Sequence, residues 1–528
     1  MTKLVEKLEE AKRRFGPGEA QRTEALLNAA AKARVIETDE LIRFHEALLF
    51  HRAYPKSEGV LQRAEDLLAS FGERAARADP EPFEEPEVSG IAGTAFSAIF
   101  SYDVARRLVE LHPNELEVDW ERFELTDRAA GLWRRLFPLV EEDTLVEAHV
   151  PYRAWLDAAG GSDRQLGWLL RRIAALPVTE PEKADLYRSL DLAVRWDLGN
   201  SEATRTRTRL PASEVFYHDE PLLRRSGVSL AAELDGPPLT LERLSPAHGR
   251  AVLDTALRTS AVRYRELHGF TYGDPKRVCK VNIGRGIAVY VCGVPPERRL
   301  PLRAYHAAMM FKNGVPTGYF ETLTLFDRLE VGFNLYYTFR EGETAWLFGQ
   351  MLRLFRQMLG VTCFSVDPYQ IGDENDEAIE SGAFWFYRKL GFRSTEAPIE
   401  KVAKAEERKI AAAPRYRTPA RTLRRLAAAP VIYEMPGAET GAWDRFRVRN
   451  IGLALQRSRR REEALGGLAA ILPLIPDFGR WTAEEKRRAS DVVRAKSAPD
   501  ETTYVRTMQR HAKLRDAVLR LGTTAAET

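Results

Sequence analysis

Five strand-like segments crowd into residues 277–339, and they constrain the fold of this chain more than any other feature. They are rich in β-branched and aromatic residues and are separated by Gly, Pro and Asn, which is typical of strands joined by tight turns. The segments are RVCKVNI, GIAVYVCGV, LRAYHAAMMF, VPTGYFETLTLF and EVGFNLYYTF. Asn313-Gly314 separates the third from the fourth and predicts a hairpin, because Asn-Gly accepts the positive φ values of a tight turn. Gly284-Arg285-Gly286 predicts a second hairpin turn.

Helices and strands alternate after this group. A helix is predicted in AWLFGQMLRLFRQMLG, a strand in TCFSVDPY, a second helix in NDEAIESGAFWFYRKLG and a last strand in VIYEM. Apolar residues at helical spacing favour the two helices. Gly391 is predicted to end the second helix, and Phe392 to begin the next buried segment. The pattern predicts an α+β domain over residues 236–435, with a mixed β-sheet and flanking helices.

The regions on either side are predicted to be all-helical, residues 1–235 before the sheet and 436–528 after it. The acidic, Pro-rich stretch 78–90 is predicted to divide the first region into two helical groups, and 198–214 to be a polar connection. Residues 395–528 carry about 27 Lys and Arg against about 17 Asp and Glu. Such a basic helical region is more often a solvated surface than a binding site, so nucleic acid is not expected as a partner.

Several kinds of protein are not expected from this sequence. Cys279, Cys292 and Cys363 form no CxxC pair, so neither a zinc site nor a disulfide framework is indicated. The first residues, MTKLVEKLEEAKRRFG, predict a charged amphipathic helix and not a signal peptide. Without an uncharged apolar stretch of about 18 residues, no transmembrane helix is predicted. A cytoplasmic protein without a metal is therefore expected.

Three stretches resemble the GNAT superfamily, the GCN5-related N-acetyltransferases. NGVPTGYFETLTLF is similar to the hairpin of that fold's second and third strands. EVGFNLYYTFREGETAW is similar to its fourth strand and pyrophosphate loop, and FWFYRKLGF to its final helix. The resemblance covers residues 236–435 and implies transfer of an acyl group, most simply acetyl, from acyl-CoA to an amine by direct attack.

The resemblance also implies a coenzyme site. Backbone N–H groups at the start of a helix favour a diphosphate, and the loop in question runs from Phe339 to Ala345. The implied cofactor-binding residues are Tyr337, Thr338, Phe339, Arg340, Gly342, Glu343, Thr344, Ala345 and Asn375. Two alternatives stay open: the loop is an ordinary Gly turn before a helix, and Asn375 caps the following helix.

The resemblance assigns catalytic roles as well. Tyr387 matches the family tyrosine that donates a proton to the departing thiolate, a role that suits a phenol because it is protonated at neutral pH. Glu330 and Glu321 are the candidates for the general base that takes a proton from the amine. A backbone N–H around residues 335–337 would polarise the thioester carbonyl. The alternatives are a buried core tyrosine and two solvent-facing edge glutamates.

Two other functions remain open. The sheet domain is a non-catalytic scaffold if its helical flanks hold a protein partner. An aminoacyl-tRNA-dependent transferase is the second alternative, with the basic C-terminal region as its support. The sequence does not identify the amine acceptor, which is a small molecule or a protein.

Overall fold

A computed structural model describes residues 2–33, 37–123, 126–137, 150–160, 165–413, 415–457 and 467–524. The chain packs into two compact units. The first holds Met1–Pro221, Ala251–Thr271 and Asn313–Pro316. The second holds Leu222–Arg250, Tyr272–Lys312 and Thr317–Thr528. Residues 436–528 thus belong to the same unit as the predicted sheet domain, and the domain boundaries near 235 and 435 stay predictions.

Ten helices and three strands are described before residue 200. The helices are α1 Thr2–Ala11, α2 Glu19–Lys32, α3 Thr38–Ala53, α4 Glu58–Ala69, α5 Phe71–Ala75, α6 Tyr102–Leu111, α7 Ala130–Leu136, α8 Tyr152–Gly160, α9 Gln165–Ala174 and α10 Glu180–Leu190. The strands are β1 Ala95–Ile99, β2 Leu116–Val118 and β3 Ala193–Asp197.

A small sheet lies inside this first region. Its order is β1-β3-β2, and both pairs run antiparallel. Trp133, Trp196 and Phe96 are fully buried in the core around it. The prediction of an all-helical region over 1–235 was therefore wrong at three segments. Each strand is too short to show a clear two-residue alternation, and tertiary packing fixes its conformation.

The middle of the chain supplies the strands of a second, larger sheet. It contains α11 Leu230–Leu234, β4 Leu241–Arg243, α12 Pro246–Ala261, α13 His268–Thr271, β5 Cys279–Gly284, β6 Ile287–Gly293, β7 Ala304–Lys312, β8 Val315–Leu325 and β9 Arg328–Leu335. The two predicted hairpin turns are confirmed. Arg285 and Gly286 join β5 to β6 at φ 51° and 70°, and Asn313 and Gly314 join β7 to β8 at φ 47° and 79°.

The rest of the second unit is helical apart from three strands. It contains α14 Thr344–Leu359, β10 Cys363–Val366, α15 Pro368–Ile371, α16 Asp376–Ser381, α17 Ala383–Arg388, β11 Arg393–Ser394, α18 Ala397–Ala412, α19 Ala420–Ala427, β12 Val431–Glu434, α20 Val448–Arg457, α21 Leu468–Ile471, α22 Ala483–Ala495, α23 Glu501–Gln509 and α24 Ala512–Thr523. No described helix is both long and apolar enough to cross a membrane.

The large sheet has nine strands in the order β11-β12-β10-β9-β8-β7-β6-β5-β4. β9 and β10 run parallel. The antiparallel pairs include β4–β5, β5–β6, β6–β7, β8–β9, β10–β12 and β11–β12. The predicted α+β class is confirmed at this level: a large mixed sheet together with helical regions.

One apolar core joins the sheet, α14 and the C-terminal helices. Phe348 and Phe355 of α14 are fully buried against β8, and Trp443 and Tyr504 belong to the same core. The basic C-terminal region is therefore packed structure as well as surface. Among its described arginines, Arg457, Arg487 and Arg520 are exposed on helices whose apolar residues are buried in this core.

The segment that was predicted as one helix before Gly391 is two. α16 ends at Gly382, which has φ 65° in the left-handed region and also precedes α17. Only glycine adopts this conformation without strain, so the chain turns here. The turn sets the direction of α17, which carries Tyr387.

Candidate active site

The two parallel strands separate where β9 outlasts β10. Their pairing runs from Arg328 opposite Cys363 to Val331 opposite Val366. β10 ends there, whereas β9 continues through residues 332–335, still paired with β8 on its other side. Beyond Val331, the edge of β9 that faces away from β8 therefore has no neighbouring strand among the described residues.

Backbone amides point into this gap. The N–H of Tyr336 donates to the carbonyl of Thr317 at 3.0 Å, which places it on the β8 side. Because backbone groups alternate in direction along a strand, the N–H groups of Phe333 and Leu335 point to the opposite side. The Leu335 N–H is therefore the best-placed donor in the predicted range 335–337.

The start of α14 lies just beyond the end of β9. The first intrahelical hydrogen bond runs from the N–H of Leu347 to the carbonyl of Glu343, at 2.9 Å. The N–H groups of Thr344, Ala345 and Trp346 thus precede the first helical hydrogen bond and form the positive end of a 16-residue helix. A pyrophosphate loop requires backbone N–H groups at a helix start, and the start of α14 provides them.

Glu343 is turned away from these amides. Its carboxylate is buried and bonds the Arg285 guanidinium at 2.5 and 2.8 Å. It also accepts the Leu223 N–H at 3.1 Å. Because the paired arginine offsets its charge, this glutamate adds little negative potential at the helix start. Its prediction as a coenzyme ligand stays untested, and its described contacts are with the protein.

The other loop residues divide between core and surface. Arg340 forms an ion pair with Glu377 of α16 at 2.6 Å, and Tyr337 is 71% exposed beside it. The N–H of Gly342 bonds the Phe339 carbonyl at 3.0 Å, and the Thr344 hydroxyl donates to the Arg340 carbonyl at 2.9 Å. The predicted ligands Thr338, Phe339 and Ala345 are buried. Arg340 and Tyr337 are therefore the side chains best placed to contact a ligand.

Lys312 is a buried amine close to the same loop, and no sequence pattern singles it out. It is fully buried, and its ammonium donates to the carbonyl of Arg285. Burial lowers the pKa of the Lys312 amine from 10.5 to about 7. The negative charge of Glu343 acts in the opposite direction and raises this pKa, but by less. Its buried position at the end of β7, next to a hairpin turn, is a tertiary property that strand pattern alone does not predict.

Replacing Lys312 with methionine is expected to remove a pH dependence of stability. Between pH 7 and 10 the unfolded chain keeps the proton that the folded chain has lost, so the free energy of unfolding of the natural protein rises with pH. The slope from this group approaches about 1.4 kcal/mol per pH unit. Urea denaturation at pH 7, 8 and 9 measures it. The exposed Lys404, changed to methionine, is the control; equal slopes in the natural protein and K312M would contradict the assignment.

Tyr387 lies on the α14 face of the sheet. It is 3% exposed, and burial raises the pKa of its phenol, which is therefore protonated at neutral pH. Its ring packs on Phe348, Phe386 and Phe392 with centroids 5.1 to 5.8 Å apart. The core packing is thus shown, and the catalytic role of Tyr387 stays a prediction.

Glu321 and Glu330 lie on the opposite face. Phe320 and Phe333 form a cross-strand pair that packs on Phe348, so the neighbouring pair of Glu321 and Gly332 points the other way. Glu321 accepts a hydrogen bond from the Tyr305 hydroxyl. Gly332 opposite it is the first residue of β9 beyond the pairing with β10, so Glu321 lies on β8, one strand away from the gap.

Glu330 is held by arginines instead. Its carboxylate contacts Arg303 at 3.1 Å and Arg328 at 3.2 Å. Its strand position is opposite Ser365 of β10, where the two strands are still paired. Glu330 is thus paired with two arginines, whereas Glu321 bonds a hydroxyl, and both catalytic roles stay predictions.

Asn375 has the helix-capping contacts. Its side-chain oxygen accepts the Ala378 N–H at 3.1 Å, and its amide donates to the carbonyl of Tyr369 at 3.0 Å. This confirms that Asn375 caps α16, and its coenzyme role stays untested.

Sequence reasoning missed Asn334, whose amide donates to the Tyr319 hydroxyl at 3.1 Å on the Glu321 face. Strand alternation places it there once the register is known.

Comparisons with protein-family models, with curated proteins and with solved structures found no match for this chain. Within the described ranges, no group of three or more His, Cys, Asp or Glu residues is arranged to hold a metal ion.

Proposed function

We propose that the second unit is an acyl-CoA-dependent N-acyltransferase of the GNAT type, with acetyl-CoA as the simplest donor. The observation that carries the proposal is the gap beside β9, which opens where β10 ends and lies next to the start of α14. Tyr387 and Glu321 lie on opposite faces of the sheet. An open strand edge beside a helix start fits the pyrophosphate loop that the resemblance implies.

The donor would bind mainly to backbone. The diphosphate is assigned to the amides of Thr344, Ala345 and Trp346, where the helix dipole favours negative charge. Arg340 would exchange its contact with Glu377 for a phosphate oxygen. Because Arg285 offsets the charge of Glu343, that glutamate does not prevent an anion from binding here. The thioester would then lie along the open edge of β9.

The chemistry needs an acid and a base on different sides of the reacting carbon. The amine nitrogen attacks the thioester carbonyl carbon, and Glu321 takes the proton that the nitrogen loses. The Leu335 N–H stabilises the negative charge that develops on the carbonyl oxygen. The C–S bond then breaks, and the Tyr387 hydroxyl protonates the departing thiolate. The products are an amide and free coenzyme A.

Acetyl-CoA binding tests the proposal without knowledge of the acceptor. At a concentration of about 100 times Kd, a ligand of the folded state stabilises it by about 2.7 kcal/mol. We expect thermal stabilisation by acetyl-CoA and a saturable calorimetric signal, and about tenfold weaker binding by R340M. The exposed Arg487, changed to methionine, is the matched control and is expected to bind like the natural protein. Absence of binding to the natural protein would refute this function and favour the scaffold alternative.

A further inference from the structure

A large cavity in the first unit is lined by arginines. Its volume is about 630 Å³, and it lies between α3, α4, the irregular segment 202–215 and the end of α12. Its charged lining residues are Arg52, Arg207, Arg209, Arg258, Glu65 and Glu202. Four arginines against two glutamates leave an excess of two positive charges. The predicted polar connection 198–214 is therefore part of a cavity wall.

Arg52 is the unusual member of this group. It lies in the last turn of α3 and is only 2% exposed. One nitrogen, Nη1, donates to the carbonyl of Thr206 at 2.7 Å, and its nearest carboxylate, Glu65, is 4.0 Å away. Nε and Nη2 have no hydrogen-bond partner among the described residues. Burial lowers the pKa of Arg52 to about 10, and the group stays charged at neutral pH.

The unpartnered nitrogens of Arg52 share one edge of the guanidinium. Nε–H and the inner Nη2–H point the same way, and this fork binds two oxygens of a phosphate or carboxylate at once. Buried polar groups are ordinarily hydrogen-bonded. The fork of Arg52 is thus an unsatisfied pair of donors that is itself buried at the wall of the cavity.

The neighbouring arginines differ in how far they are engaged. Arg258 donates from Nη2 to the Thr255 hydroxyl at 3.2 Å, and its Nε also has no partner within the described ranges. Arg207 donates to Asn200 at 3.1 Å, and Arg209 pairs with Glu65 at 2.8 Å. Arg209 therefore uses its charge on Glu65, while Nε and Nη2 of Arg52 and Nε of Arg258 are buried donors without a partner among the described residues.

Part of the remaining wall is apolar. Leu61, Leu68, Leu210 and Val215 line the same cavity. A simple inorganic anion fills only a small part of 630 Å³. A ligand that complements both the arginines and the apolar side chains carries a doubly negative group at one end and an apolar group at the other.

We propose that this cavity binds a small organic phosphate monoester, with the phosphoryl group on Arg52 and Arg258 and the organic group against the leucines. The dianion matches the two excess positive charges better than a single carboxylate does. The site is separate from the coenzyme site of the proposed function and does not depend on it.

Phenyl phosphate is the probe that tests this site. In full-length protein at constant ionic strength, we expect it to raise the melting temperature and to bind at least tenfold more tightly than inorganic phosphate. R52M is expected to weaken phenyl phosphate binding at least tenfold. R207M changes an exposed arginine at the cavity rim and is expected to weaken the same binding severalfold. The exposed Arg188 of the same unit, changed to methionine, is the control. Because Arg207 is exposed, R207M keeps the test valid if R52M does not fold.

Three results would overturn the proposal. The first is stabilisation by phenyl phosphate no greater than by sodium chloride at equal ionic strength. The second is equal binding by R52M, R207M and R188M. The third is binding of an oligonucleotide without binding of phenyl phosphate. Acetyl-CoA binding is expected to be unchanged in R207M. A result that overturns the phosphate site can therefore be distinguished from one that overturns the proposed coenzyme site.

Discussion

Phe348→Ala is expected to lower the free energy of unfolding of the second unit by about 3–5 kcal/mol. Phe348 is fully buried and lies at the centre of the aromatic cluster that connects the sheet to α17. Its ring contacts Phe320, Phe333, Phe386, Tyr387 and Phe392. Removing the ring leaves a cavity that its partners on α17, β8 and β9, together with Phe392, cannot fill. Urea denaturation followed by tryptophan fluorescence measures the loss.

The matched control is an aromatic residue of the same unit that is not packed. Tyr337 is 71% exposed, and its replacement by alanine is expected to change stability by no more than about 0.5 kcal/mol. A loss below about 1 kcal/mol in F348A would mean that α17 does not depend on this cluster for its position. The position of Tyr387 would then not depend on this packing either.

Tyr387→Phe is expected to lower kcat for acetyl transfer by about 10²–10⁴-fold, with unchanged affinity for acetyl-CoA. The substitution removes only the hydroxyl, while the ring contacts with Phe348 and Phe392 remain. Release of the coenzyme A thiol, measured with a panel of primary amines, follows the reaction. A drop in kcat without a change in binding separates proton donation from packing.

Tyr433 provides the control for this experiment. It packs on Phe364 and Phe392 in the same core, and Y433F also removes a single hydroxyl. We expect its kcat to match that of the natural protein. If Y387F is as active as Y433F, Tyr387 is a core residue and the proton comes from another group.

Local sequence signals predicted much of the large sheet. The turns at Asn313-Gly314 and Gly284-Arg285-Gly286 are formed by residues that tolerate positive φ, and their chemistry is independent of the rest of the fold. The break at Gly382 was missed because an isolated glycine is compatible with a helix. Only the packing of α17 shows that the chain turns there. The strands β1, β2 and β3 were missed because they are too short to carry a period.

The backbone elements of the candidate site were more predictable from the sequence than the directions of its side chains. The start of α14 follows from the helix pattern, whereas β9 ends at Leu335 and not at Phe339 as predicted, because Tyr337–Phe339 form a short 3-10 helix. The direction of Glu343 was not predictable, because its partner Arg285 is 58 residues away in sequence. Arg52 illustrates the same limit: a basic residue in a helix's last turn is ordinarily explained by the helix dipole. Its burial beside Thr206 depends on contacts 154 residues apart.

Hydrogen–deuterium exchange with and without acetyl-CoA shows which segments of the chain contact the coenzyme. On binding, we expect slower exchange in two segments, residues 333–347 at the end of β9 and the start of α14, and residues 367–378 beyond β10. The segment 202–215 of the first unit is expected to keep its exchange rate. Unchanged exchange in both predicted segments, or protection confined to 202–215, would contradict a coenzyme site between β9 and β10.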